Sequence, residues 1–130
     1  MILYLDTSAL VKRYFRESHS DEIIARWKSA EQIVTSFVAY AETMASLQRK
    51  KREAGLDDAL IKEITAAFRR DWESFIRVEV NDEINGYIDR VVEAYPLRGF
   101  DAIHLASALA IHETLAKDFV FACFDSRLAF

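Results

Sequence analysis

The sequence predicts an α/β fold, a four- to five-stranded parallel sheet flanked by helices on both faces. Three observations lead there. Short apolar runs recur along the chain, longer stretches with helical periodicity separate them, and helix-breaking residues are scarce, with three glycines and one proline, Pro96. Strands of a parallel sheet are buried on both faces, so they read as continuous apolar runs, and each needs a crossover to reach its neighbour. Crossovers of this kind are right-handed, and ligands bind beyond the carboxyl ends of the strands. The 130 residues suit one domain, read as 1–130, and a hydrophobic fraction of 52% supplies an ordinary core.

The elements follow in order. Ile2-Leu3-Tyr4-Leu5 is a short buried strand, and Ser8 to Phe15 a helix capped by Thr7 or Ser8. Ser20 to Ala30 is a second helix, and Gln32-Ile33-Val34-Thr35 a second strand ending at Ser36. Phe37, Tyr40, Met44 and Leu47 step by three and four, which marks a long helix ending near Gly55. Its last turns hold Arg49-Lys50-Lys51-Arg52, and cations suit a helix C-terminus. Leu60, Ile64, Phe68, Trp72 and Phe75 mark a further amphipathic helix. Ile76 to Val80 alternates like a half-buried strand, and Asn81 caps a helix to about Tyr95. Asp101 to about Ala116 is helical and apolar nearly all round, as in a buried helix. Phe119 to Phe124 is the last strand, followed by Asp125.

Composition removes several classes of function. No apolar run is long enough to span a bilayer, and no basic, apolar leader opens the chain, so a cytoplasmic protein with no membrane partner is expected. The lone Cys123 forms neither an internal disulfide nor a zinc cluster. The P-loop and dinucleotide glycine patterns and the Gly-x-Ser-x-Gly elbow are missing. His104 and His112 stand eight apart in an apolar helix, too far for a shared metal, and read as core or hydrogen-bonded histidines; His19 lies in a polar loop and reads as exposed. The net charge of −4 weighs against a nucleic-acid binder unless the acids gather in one pocket.

If the sheet forms as expected they gather at one rim, through the fold rather than through a local motif. Asp6 and Asp125 directly follow strands, Glu42 lies in the first turns of the helix after the second strand, and Asp101 opens the buried helix. Singly, each has an ordinary reading as a turn residue, a cap or a solvated side chain. Together they cannot all stay ionised without compensation, because two carboxylates about 4 Å apart repel by about 4 kcal/mol at an effective dielectric near 20. Either protons are shared or a cation sits among them. Hard oxygen donors select Mg²⁺ or Mn²⁺ over zinc. Lys12, Arg13, Arg49 and Arg98 lie near these acids in sequence and offer a phosphate track for RNA, against the plainer reading of Arg49 to Arg52 as a solvated helix end.

Several stretches resemble the PIN domains of VapC-type toxins from VapBC toxin–antitoxin pairs. Leu5-Asp6-Thr7-Ser8-Ala9-Leu10-Val11-Lys12 is similar to the family's opening motif, and Ser36 through Glu42 to Leu47 to its second. Leu97-Arg98-Gly99-Phe100-Asp101-Ala102-Ile103-His104-Leu105-Ala106 resembles the third and is the most specific, and Phe124-Asp125-Ser126-Arg127-Leu128 resembles the fourth. The resemblance spans the chain in the family's order. It implies a five-stranded parallel PIN sheet and a Mg²⁺- or Mn²⁺-dependent endoribonuclease leaving 5′-phosphate and 3′-hydroxyl ends. It also implies a VapB-like antitoxin that blocks the site, and a homodimer. Carried over by position, Asp6, Glu42, Asp101 and Asp125 are the metal-binding and catalytic acids, with Thr7 or Ser8 helping to hold the site by hydrogen bonds. The expected mechanism takes Asp6 and Asp101 as direct ligands, with Glu42 and Asp125 bound to the ion or to its ligands. Two departures stand out: Cys123 occupies a place where the family often has Thr or Ser, and the chain stops at Phe130, where relatives usually continue into another helix and strand.

Two other readings share the strand-end acids. A Mg²⁺-dependent phosphotransfer domain is one, but the phosphatase form wants Asp where Ser8 stands, and the receiver form wants a Lys after a late strand, whereas Lys117 precedes the last. A non-catalytic PIN-like module that only binds and regulates is the other.

Overall fold

The computed structural model describes residues 1–115 and 117–124. Strand β1 (Ile2–Leu5) leads into α1 (Thr7–Leu10) and a 3-10 turn over Val11–Arg13. Then come α2 (Ser20–Ser29), β2 (Gln32–Ser36), α3 (Val38–Ala54), α4 (Asp58–Ser74), β3 (Ile76–Val78), α5 (Asp82–Ala94), α6 (Gly99–Thr114) and β4 (Phe119–Ala122). Among the described residues the sheet has four strands in the order β3-β2-β1-β4, every neighbouring pair parallel. Strand β1 is central, with Leu3 opposite Ile33 on one side and Val120 on the other. This is the α/β architecture that the sequence predicts.

Strand parity explains the layers. Successive side chains of a strand point to opposite faces. Leu3 and Leu5 join Ala9, Leu10, Ile23, Ala39, Phe68 and Trp72, so α1 to α4 cover one face. Ile2 and Tyr4 join Val34 and Ala108 on the other, where Ile84 and Val91 of α5 pack against Ala102, Leu105 and Ala106 of α6. Leu3, Tyr4 and Leu5 are wholly buried, each side chain contributing about 1.5–3 kcal/mol by leaving water. The small residues of α6 are shared between its neighbours: Ala102, Ala106 and Ala110 pack with α5, and Ala108 packs against β1 and β2.

Several boundaries differ from the sequence expectation, each for a local reason. The helix expected over 8–15 is a single α turn that tightens into a 3-10 turn, and its cap is Asp6 rather than Thr7 or Ser8. Strand β3 stops at Val78, where its pairing with β2 ends, and Val80 is exposed. Strand β4 stops at Ala122 because the next amide on that face, Phe124 N–H, donates to the Ser8 hydroxyl instead of a neighbouring strand. Helix α6 begins at Gly99, two residues before Asp101. Gly55 closes α3 at φ +62°, a left-handed conformation that favours glycine. No described helix is long and apolar enough to cross a membrane.

Candidate active site

A cavity of about 850 Å³ is lined by residues that follow the carboxyl ends of β1 and β4, by α3 and by the start of α6. Asp6, Thr7, Ser8, Lys12, Glu42, Arg49, Arg98 and Asp101 all line it. Of the other residues singled out from sequence, Arg13 does not: it borders a separate depression beside Tyr14 and Asp71, with its guanidinium over the Trp27 ring. Asp125 lies outside the described residues.

Asp6 is held from below. It is 4% exposed, in extended conformation, and caps α1: its Oδ1 accepts from Ala9 N–H at 2.9 Å and from the Ser8 hydroxyl at 2.7 Å. Ser8 Oγ in turn accepts the Phe124 amide at 3.0 Å. One serine thus ties the acid after β1 to the chain leaving β4.

Glu42 is held from the side. It sits on the second turn of α3, and its Oε1 accepts from Thr7 Oγ1 at 2.7 Å and pairs with His104 Nε2 at 2.8 Å. His104 is 3% exposed, and its Nδ1 meets the Tyr4 hydroxyl at 2.8 Å. Burial pushes the Tyr4 phenol well above its usual range, so it remains a donor. A neutral imidazole then satisfies both neighbours when Nδ1 accepts from Tyr4 and Nε2–H donates to Glu42. Burial raises the Glu42 carboxyl, but the bonds from His104 and Thr7 outweigh it and hold the group below its ordinary value.

His104 is a buried, hydrogen-bonded histidine as the sequence suggests, but its place in the cavity wall beside Glu42 was not anticipated. A histidine in an apolar helix reads as core, and its partners Tyr4 and Glu42 are distant in sequence. The available signal was its position three residues after Asp101, one helical turn on the same side. His112, by contrast, is exposed, its ring tilted against Phe119. Glu17 and Lys50, also unanticipated, line the cavity as well. Among the described residues the wall therefore carries four acidic side chains (Asp6, Glu17, Glu42, Asp101) and four basic ones (Lys12, Arg49, Lys50, Arg98). In a chain acidic overall, these described charges of the cavity are in balance.

A strand-end aspartate that caps the helix after it, a glutamate on the helix after β2 and an aspartate in the first turn of the last helix line one cavity. The family model for the PIN domain matches residues 3–129. The chain belongs to the PIN domain family. Two curated relatives are Ribonuclease VapC45 and Ribonuclease VapC49, from two strains of Mycobacterium tuberculosis (CDC 1551 / Oshkosh and H37Rv). Each is 34% identical over 131 residues, spanning 98% of this PIN domain and 86% of the relative, so the chain is of the VapC type. Among solved structures, a toxin–antitoxin complex from Klebsiella pneumoniae superposes with TM-score 0.62 at 18% identity, over 83% of this chain and 78% of that one. VapBC2 from Rickettsia felis, bound to a DNA fragment from its promoter, superposes with TM-score 0.62 at 12% identity, over 96% and 100%. These two likenesses bear on the fold.

PIN ribonucleases use a divalent metal. Among the described residues no three His, Cys, Asp or Glu side chains are grouped to hold an ion as they stand. The donor chemistry nevertheless fits one: three carboxylates face a common cavity, and the hydrogen bonds described fall on one oxygen each of Asp6 and Glu42. Such hard oxygen donors suit a divalent cation that keeps much of its water.

Proposed function

We propose that this PIN domain is a metal-dependent endoribonuclease and the toxin of a toxin–antitoxin pair. The observation that carries the reading is the cavity itself, where Asp6, Glu42 and Asp101 converge beside lysines and arginines in a chain whose 34%-identical relatives are named ribonucleases. Residues 1–130 act as one domain in the cytoplasm. Asp6 and Asp101, with Glu42 and Asp125, would hold Mg²⁺ or Mn²⁺. A bound ion of this kind supplies Lewis acidity toward a phosphate oxygen and toward water. The chain's own residues do the rest. Thr7 and His104 fix the Glu42 carboxylate, and Ser8 and the Ala9 amide fix that of Asp6. Arg49 and Arg98, exposed at the cavity wall, take the flanking phosphates. In the overall reaction a water oxygen bonds to phosphorus, the P–O3′ bond breaks, and the 3′ oxygen leaves protonated, giving 5′-phosphate and 3′-hydroxyl ends.

The partners proposed are RNA, a VapB-like antitoxin and a second copy of the chain. The test is cleavage of total cellular RNA by antitoxin-free protein in Mg²⁺, Mn²⁺ or EDTA. Discrete fragments that need metal and vanish in Asp6→Asn are expected. Removing even a hydrogen-bond partner of a metal ligand costs about 10–100-fold, so losing the ligand itself should cost more. Folded protein that cleaves nothing in either metal would overturn the catalytic reading and favour a PIN-like binding module.

A further inference from the structure

Lys12 does not face the cavity as a free cation. Its ammonium donates to Glu17 Oε1 at 3.1 Å, and Lys50 on α3 donates to Glu17 Oε2 at 3.2 Å. One carboxylate thus spans two lysines drawn from different elements, one lysine on each oxygen. All three line the cavity that holds Asp6, Glu42 and Asp101. The lysines have support of their own: Lys12 Nζ lies 4.9 Å from the centroid of the Phe124 ring and Lys50 Nζ 5.0 Å from that of Phe15. Such cation–ring contacts keep an ammonium in place when its counter-ion leaves.

Besides its two lysine contacts, Glu17 is anchored by its backbone. Its N–H donates to Ser20 Oγ at 3.0 Å, its carbonyl accepts the Ser20 N–H at 3.1 Å, and Ser20 is 2% exposed. Rotation of the side chain alone therefore frees the lysine pair, with the loop unmoved. A phosphodiester, like a carboxylate, presents two anionic oxygens, and it accepts from lysines in the same way.

We propose that Lys12 and Lys50 form a subsite for a backbone phosphate of bound RNA, and that Glu17 occupies it as a built-in anion which that phosphate displaces. The proposal rests on the ribonuclease reading above and concerns how the same cavity takes its substrate. While Glu17 is in place, the seat's excess positive charge is halved, so incidental anions are held weakly. An RNA strand also engaged by Arg49 and Arg98 can still displace the side chain.

The experiment is binding of a fluorescent single-stranded oligoribonucleotide, in EDTA so that nothing is cut, across a series of salt concentrations. In Glu17→Gln the dissociation constant should fall about three- to ten-fold at low salt. The log–log salt slope should steepen by about 0.7, the increment for one more phosphate contact on a single strand, because the unmasked lysines now release counter-ions. Adding Lys50→Met should reverse both changes. Unchanged or weaker binding in folded Glu17→Gln, or a gain that survives Lys50→Met, overturns the proposal. If Glu17→Gln does not fold, Lys50→Met in the natural chain decides: weaker binding with a shallower slope supports the subsite, and unchanged binding overturns it. Wild-type protein that binds no RNA would sink this proposal and the ribonuclease reading together, whereas RNA binding indifferent to residues 17 and 50 sinks this one alone.

Discussion

Two groups of residues in the cavity wall hold their charges by different means. In the first, Asp6 and Glu42 are fixed by hydroxyl, amide and imidazole donors. These groups orient the carboxylates without cancelling their charge when the imidazole is neutral, so the negative field remains available to a cation. In the second group Lys12 and Lys50 are fixed by one opposing carboxylate, and half of their joint charge is cancelled until something displaces it. Neutral donors suit a site that must be ready before its ion arrives. Opposed charges suit a site that should answer only to a competing anion.

The difference can be tested in either group. The largest effect is expected at His104. In His104→Ala, Glu42 loses a donor and the Tyr4 phenol loses its buried partner. Metal affinity, read by Mn²⁺ titration of folded protein, should drop about 10–100-fold, with a stability loss of about 1–3 kcal/mol. His104→Gln, whose amide can still donate to Glu42, should recover part of the affinity. A variant that loses stability but keeps full metal affinity would reduce His104 to a core residue. A smaller effect is expected at Ser8, which bridges Asp6 and the Phe124 amide. Ser8→Ala should cost about 1–3 kcal/mol in urea unfolding and lower the cleavage rate, since Asp6 keeps only its amide donor among the contacts described. Stability unaltered in Ser8→Ala would mean that the bridge carries no weight.

The smallest effect belongs to the cationic group and appears as a pH dependence. Partial burial raises the Glu17 carboxyl, but the bonds and charges of Lys12 and Lys50 outweigh it and hold the group below its ordinary value. A folded value below the unfolded one, about 4.3, contributes stability that is present at higher pH and is lost as pH falls through the folded value. Melting temperature measured from about pH 5 down to about pH 3 should therefore fall less steeply in Glu17→Gln than in the natural chain. Parallel curves would show that the lysine contacts do not stabilise the fold.

The sheet was legible because burial on both faces leaves an unambiguous trace: Ile2 to Leu5 and Phe119 to Ala122 read directly as strands. The acids were legible through the rule that sites lie beyond strand ends, which brought Asp6, Glu42 and Asp101 to one cavity. What stayed hidden depended on direction and distance. Lys12 and Arg13 are adjacent and look equivalent in sequence, yet a 3-10 turn rotates about 120° per residue. Lys12 accordingly turns into the cavity toward Glu17 while Arg13 lies over Trp27. Apolar patterning also gave Leu60 the same standing as Phe68, although Leu60 is exposed and Phe68 wholly buried, with Ile61 taking the inward place. No periodicity announces that His104 will meet residues 100 and 62 positions away.

The bond from the Phe124 amide to Ser8 has a consequence for how the protein is born. Strand β1 is made before β2 and β4 but lies between them, and β4 is the last of the four described strands to be made. Until then one edge of β1 stays unpaired, and the serine that braces Asp6 lacks the amide it later receives. At about 5–20 residues per second, several seconds separate the two strands. Pairings so distant in sequence also form slowly. The nascent chain therefore carries Asp6 well before it can finish bracing it, which waits for the residues after β4.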